Sequence, residues 1–211
     1  MKRNKSNSVF ESDLVSVVMP MYNAENSIER SIKSVLAQSY SNLELIIIND
    51  KSTDKSLEIA QKIKLKDNRI NILNLNKNVG AGIARNKGIN FSKGNIIAFL
   101  DSDDTWNPNK LEIQIQAMKK HDVALVCSGY DVVGMSHKHI SLKIPNQKIT
   151  YKRLLRSNVI GCLTVIYDVK KIGKQYMPKI RKRQDYALWL NITKKYGPAL
   201  CVQKALSTYE S

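Results

Sequence analysis

Ile96-Ile97-Ala98-Phe99-Leu100-Asp101-Ser102-Asp103-Asp104 decides how this chain is read. Five consecutive apolar residues have the length and composition of a strand buried on both faces. Three acids follow within four positions. Carboxylates that close repel, and each raises the others' pKa unless a cation or donors compensate. A divalent metal held by oxygen ligands and bridging to the phosphates of a nucleotide accounts for such a cluster. Mg²⁺ or Mn²⁺ takes one or two protein carboxylates and leaves its other positions to substrate and water. The alternative is a solvated acidic turn ahead of a helix, with Asn107-Pro108 as the helix start and Pro at its first position. An isolated D-x-D favours that plainer reading; the rest of the chain reverses the preference.

Outward from this stretch, strands and helices alternate. Residues 15–19, 43–48, 70–75, 95–100 and 123–128 read as short strands, several apolar on both faces. Between them, Ile28, Ile32, Val35 and Leu36 recur at helical spacing, with Asn26 as N-cap and Glu29 three residues on. Leu57, Ala60 and Ile63 repeat the pattern, as do Leu111, Ile115 and Met118. Alternation of this kind predicts βαβ units and a mostly parallel sheet covered on both faces. Ligands of such sheets bind at the carboxyl ends of the strands. Residues 20–23, 49–54, 78–86 and 101–104, the conspicuous polar clusters, all fall there.

The 211 residues suffice for one domain with a sizeable core. Thirty-four Lys and Arg against 18 Asp and Glu give a net charge of +16, which suggests a polyanionic partner. No apolar run approaches the roughly 18 residues that span a bilayer, and the basic N-terminus lacks the apolar region of a signal peptide. Cys127, Cys162 and Cys201 match no zinc spacing and read as buried thiols in a reducing cytosol. Residues 1–13 are polar without periodicity and are expected to fray. Residues 134–158 are basic and irregular, with His137 and His139 reading as exposed linker residues. Residues 163–167 read as a strand and 184–196 as a helix ending near Gly197-Pro198.

No Walker-type phosphate loop occurs. Gly80-Ala81-Gly82-Ile83-Ala84-Arg85 mimics half of a dinucleotide fingerprint, but Arg85 replaces the small residue that close helix–strand packing requires. A guanidinium at a helix start suits a diphosphate instead, through charge-assisted and bidentate hydrogen bonds.

Four blocks then carry a resemblance. Val15-Ser-Val-Val-Met-Pro20-Met-Tyr22-Asn23, Asn49-Asp50-Lys51-Ser52-Thr53-Asp54, Asn78-Val-Gly80 with Ala84-Arg85-Asn86-x-Gly88, and Asp101-Ser-Asp103-Asp104-x-Trp106-x-Pro108 resemble the family 2 inverting glycosyltransferases of GT-A fold. Gln184-Asp185-Tyr186-x-Leu188-Trp189 is similar to a further block of that family, and the likeness covers roughly residues 14–209. The resemblance implies an α/β, Rossmann-like sheet in a single domain. Residues 14–133 would bind the nucleotide sugar, and 134–211 would form a basic acceptor side. Pro20, Tyr22 and Asp50 would hold base and ribose, and Arg85 the diphosphate. Asp101 would contact the ribose beside a Mn²⁺ or Mg²⁺ ion ligated by Asp103, and Asp185 would be the general base.

The implied reaction moves a sugar from a nucleoside-diphosphate donor, UDP by family weight, to a saccharide hydroxyl in capsule, O-antigen or other surface glycan synthesis. The acceptor class includes polyprenyl-diphosphate-linked saccharides, met by a cytoplasmic enzyme held peripherally at an anionic membrane face. Trp106 is expected to pack in the core; Trp189 is open between core and acceptor wall, and Thr164 is expected to be a strand residue. Two departures stand out: Asn49 where the family usually has Asp, and Lys51 where Gly is common. Two rival classes explain less. A sugar nucleotidyltransferase should carry a Gly- and Arg-rich loop after its first strand. A basic nucleic-acid-binding protein would account for the charge but not for acids at strand ends, so no nucleic-acid partner is expected.

Overall fold

The computed structural model describes residues 13–134 and 139–210. Strands β1 (Val15–Met21), β2 (Leu43–Asn49), β3 (Ile70–Asn74) and β4 (Ile96–Phe99) alternate with helices α1 (Ile28–Leu36), α2 (Ser56–Lys64) and α3 (Ala81–Phe91). The chain continues through β5 (Thr105–Trp106), α4 (Lys110–His121), β6 (Leu125–Val133), β7 (His139–Lys143), β8 (Lys148–Ile149) and α5 (Tyr151–Leu154). It ends with β9 (Ile166–Asp168), α6 (Val169–Ile172), α7 (Gln184–Tyr196) and β10 (Ala199–Glu210). The strands form one sheet in the order β3-β2-β1-β4-β9-β6-β10-β5, with β7 beside β6 and β8 beside β10.

The first four strands are parallel, and every residue of β1 and β2 is buried. Alternate residues of each strand point to opposite faces, which gives two cores. Val17, Met19, Leu45 and Ile47 pack with Ile28 and Ile32 of α1 and Leu111 and Ile115 of α4. Val18, Ile46, Ile48 and Phe99 pack with Ala84 of α3 and Leu188 and Trp189 of α7. Helix α3 lies close against the sheet because Gly88 has no side chain. A Cβ there would come within 2.6 Å of Val18 and 2.7 Å of Ile48. Gly88, not a third fingerprint glycine, provides the close approach.

Several expectations are corrected. Beyond β4 the sheet is mixed, because β9 runs antiparallel to both β4 and β6, and β5, β7 and β8 are antiparallel additions. Residues 162–164 form a 3₁₀ turn, closed by the Thr164 amide and hydroxyl donating to the Gly161 carbonyl at 3.0 and 2.7 Å. The strand therefore starts only at Ile166. Helix α1 is capped by Ser27 rather than Asn26, with no side-chain cap bond. Pro108 stays outside α4, whose cap is Asn109; its carbonyl accepts from the Ser39 amide at 2.8 Å. Trp189 is fully buried, 5.9 Å from the Phe99 ring, and belongs to the core. Trp106 is anchored through Nε1 to the Leu163 carbonyl at 2.8 Å, as packing predicts. The three cysteines are buried and free. His139 lies exposed on β7, 3.0 Å from an Asp131 oxygen, and His137 lies outside the described residues.

Candidate active site

The carboxyl ends of β1, β2 and β4 surround a cleft of about 210 Å³. It is lined by Pro20 and Tyr22 after β1, Asp50 after β2, Arg85 on α3, and Asp101 and Asp103 after β4. Six of the seven residues singled out from sequence thus share one cavity. Met21, Ala81 and Ser102 complete the lining.

Loop geometry builds this wall. The Asn23 side chain accepts from the Thr53 amide at 2.9 Å, and the Asn23 amide donates to Ser52 Oγ at 3.2 Å, lacing the first two loops together. The Asp50 carboxylate accepts from the Val79 and Gly80 amides, both at 2.8 Å. Both its oxygens are thus engaged in holding the Asn78–Gly80 turn open, just where α3 starts. Gly80, at φ +82°, takes a backbone conformation that a side chain would disfavour. Asn49 acts as a turn former: its Oδ1 accepts from the Ser52 amide at 3.1 Å and its Nδ2 donates to Asn74 at 3.2 Å. Lys51 occupies the left-handed region at φ +65°, so the turn keeps a shape that glycine would adopt without strain.

Arg85 is 7% exposed and ion-paired with Asp101. Burial works against its charge, but Asp101, and at longer range Asp185, hold the guanidinium protonated beyond its ordinary range. Its Nε is buried and has no acceptor among the described residues. A guanidinium that keeps a free donor beside the cleft is equipped to grip an oxyanion.

The acidic turn is held by its backbone. Ser27 and Ser31 of α1 both donate to the Ser102 carbonyl at 2.9 Å, and Arg30 donates to the Asp103 carbonyl at 3.2 Å. The Asp103 side chain is left at the rim, with no donor from another residue among those described. Partial desolvation by the protein around it and the nearby Asp101 raise its pKa. Asp104 points inward, 1% exposed, and accepts from the Glu210 amide at 3.2 Å; burial and its two acidic neighbours push it up to about 8. The serines and Arg30 went unnoticed in the sequence. Their signal was a Ser-x-x-x-Ser spacing on the helix that follows Pro20–Asn23.

Asp185 does not line the cleft. It sits in the first turn of α7, partly exposed, within electrostatic reach of Arg85 and Cys162. Gly82 permits this: a Cβ there would meet Gln184 Cγ at 2.8 Å, so α3 and α7 touch where Arg85 and Asp185 begin their helices. No residue among those described hydrogen-bonds the Asp185 carboxylate, which leaves it available to a hydroxyl.

Among the described residues, no three His, Cys, Asp or Glu side chains gather as a protein-only metal cage. Asp103 and Asp101 instead offer oxygens at a rim, a donor set that suits a hard cation completed by phosphates and water.

The family model described as Glycosyl transferase family 2 matches residues 16–172. A Bacillus subtilis protein named for teichuronic acid biosynthesis, the glycosyltransferase TuaG, is 40% identical over 93% of this chain and 78% of its own length. An Escherichia coli UDP-Glc:α-D-GlcNAc-diphosphoundecaprenol β-1,3-glucosyltransferase, WfgD, is 41% identical over 86% of this chain and 70% of its own. In fold, Staphylococcus aureus TarS in complex with UDP superposes with a TM-score of 0.77 at 22% identity. That match covers 93% of this chain and 60% of TarS residues 1–349. The Pyrobaculum calidifontis mannosyltransferase PcManGT, in complex with GDP-Man and Mn²⁺, superposes at 0.73 and 15% identity. It matches 93% of this chain and 56% of its own.

Proposed function

The chain belongs to glycosyl transferase family 2, and from that premise we propose that it inverts a sugar from a UDP-sugar onto a saccharide hydroxyl during surface glycan synthesis. One observation carries this reading: Pro20, Tyr22, Asp50, Arg85, Asp101 and Asp103 converge on a single cleft, with Asp185 on an adjoining helix start. In this reading Tyr22, half exposed, and Pro20 form the base-side wall, while Asp50 shapes the loop against which the nucleoside rests. The Arg85 guanidinium takes the diphosphate. Asp103, with Asp101, would hold Mn²⁺ or Mg²⁺, whose charge offsets that growing on the departing diphosphate.

Asp185 accepts the proton of the attacking hydroxyl as that oxygen displaces the nucleoside diphosphate in line at the anomeric carbon. A carboxylate within hydrogen-bond reach suffices for that transfer, and one base suits direct displacement, where hydrolases pair two carboxyl groups. TuaG is named for teichuronic acid and WfgD for a diphosphoundecaprenol-linked acceptor. By likeness to them the acceptor is a lipid-linked saccharide, received on the acceptor-side part of the chain, residues 134–211.

No helix of the described residues is long and apolar enough to cross a membrane. Attachment in this reading is peripheral, through the basic stretch before Asp185. Lys170 and Lys171 are committed to Asp13 and Asp122, and Lys174 to the Asn90 and Ser92 carbonyls. Lys179, Arg181, Lys182 and Arg183 remain exposed around the half-exposed Ile180. The reading is tested by offering a panel of nucleotide sugars with Mn²⁺ and a lipid-linked acceptor and measuring released nucleoside diphosphate. Release from UDP-sugars that depends on acceptor is expected. Release from none of the panel would sink it.

A further inference from the structure

A second cavity, of about 460 Å³, opens on the same edge of the sheet. Because β9 is antiparallel to both β4 and β6, those two strands run the same way. Tyr130, toward the end of β6, therefore lies on the edge to which β4 delivers Asp101. Gly161 packs beside Tyr130 of this cavity, and its neighbour Cys162 faces the charges of the donor site. A Cβ on it would come within 3.2 Å of the Tyr130 ring, and the next residue, Cys162, lies within electrostatic reach of Arg85, Asp101 and Asp185.

The lining is chemically mixed. Lys143 and Arg153 supply two cations, Asn146 and Asn158 two amides, and Tyr130 a ring with a hydroxyl. Among the described residues neither cation has a carboxylate partner; Arg153 spends one Nη1 hydrogen bond on Ser157 Oγ at 3.0 Å. Asn158 uses its Oδ1 on the Ile160 amide at 3.1 Å, which leaves its NH₂ free to donate. Leu142 and Ile144, 50% and 40% exposed, form an apolar rim.

We propose that this cavity is the acceptor subsite and holds the diphosphate and first sugar of the lipid-linked saccharide. The proposal rests on the glycosyltransferase reading above and adds where the acceptor sits. Two unpaired cations, one a guanidinium fork, match the charge and geometry of a diphosphate. An aromatic ring and amide donors match a sugar, which presents an apolar face and hydroxyl edges. The volume falls within the range of small-molecule sites. Leu142 and Ile144 give the hydrocarbon chain an apolar exit, and the Gly161-Cys162 segment, beside Tyr130 and within electrostatic reach of Asp185 and Arg85, directs the sugar toward the reacting groups.

The test uses the whole chain saturated with UDP, so that the donor cleft is filled, and a short-chain alkyl diphosphate as probe, followed by calorimetry. One probe should bind per chain. Arg153→Gln should weaken it roughly tenfold, the scale of a charge-assisted hydrogen bond, and Arg153→Gln with Lys143→Gln should abolish it, both without changing UDP affinity. Lys64→Gln with Lys66→Gln, exposed and outside the cavity, should leave probe binding unchanged. Failure of the chain to bind UDP would overturn the underlying reading. UDP binding without probe binding, equal binding by the double variant, or equal loss in the Lys64 and Lys66 control would overturn the subsite alone.

Discussion

Ser31 donates its hydroxyl hydrogen to the carbonyl of Ser102 at 2.9 Å, across 71 positions of sequence. Ser27 reaches the same oxygen at the same distance. The first helix therefore holds the backbone of the acidic turn, and the carboxylates of Asp101 and Asp103 are left for other partners. Replacing both serines with Ala should weaken UDP binding in Mn²⁺ several-fold. It should also cost stability of about 1 kcal/mol per lost bond, read from urea unfolding. Unchanged nucleotide affinity with the expected stability loss would show that the turn holds its shape unaided.

Metal removal should abolish transfer. Among the described residues Asp103 has no hydrogen-bond donor from another residue, and its pKa is raised by partial desolvation and by Asp101; a bound cation would offset that charge. Asp103→Ala should weaken UDP binding in Mn²⁺ far more than in chelator. Full turnover in excess chelator would refute a metal role.

Asp185→Asn retains size and loses basicity. Transfer should fall by on the order of a hundredfold or more, the scale of general-base catalysis, with UDP affinity little changed because Asp185 lies outside the donor cleft. Near-parental turnover at neutral pH would assign the base elsewhere.

Lys179, Arg181, Lys182 and Arg183 should bring the protein to anionic vesicles, each basic residue contributing about 1 kcal/mol near such a surface. Co-sedimentation should weaken with salt and drop when all four become Gln. Equal sedimentation with neutral and anionic vesicles would remove the case for attachment.

Lys110 is wholly buried, 4.1 Å above the Trp106 ring, and donates to Gln114 at 2.6 Å. Burial pushes its pKa down to about 7, below the roughly 10.4 of an unfolded chain. Between those values the unfolded state binds more protons, so this residue makes stability rise with pH above about 7. Lys110→Met keeps the volume and removes the proton. The variant should gain on the parent most at pH 6 and progressively less toward pH 8.5, by at most about 1.4 kcal/mol per pH unit. Parallel unfolding profiles across that range would show the lysine is not titrating there.

The parallel half of this sheet was legible because burial on both faces leaves a plain mark: β1 and β2 match the expected strands to within two residues. The mixed half was not. Strand β10 alternates exposed and buried residues irregularly over 12 positions, and β9 has only three residues, too few for periodicity. The cleft was legible because its acids and Arg85 fall just after apolar runs. Its supports were harder to read, because Ser27, Ser31 and Arg30 act through backbone carbonyls far off in sequence, and the Ser-x-x-x-Ser spacing does not by itself say which carbonyl the hydroxyls reach. The second cavity drew no notice either: it is assembled from an edge hairpin and a loop whose sequence reads only as basic and irregular.

One absent methyl group has consequences out of proportion to its size. Arg85 and Gly88 lie three positions apart on α3 and so share a face. How deep position 88 settles between Val18 and Ile48 fixes how far the guanidinium extends over the strand ends. The helix works as a shim whose thickness was set by deleting a side chain. A thicker one would lift the arginine away from Asp101 without altering any residue that faces the cleft, and the binding chemistry of this domain is thus calibrated from underneath, at the floor of its core.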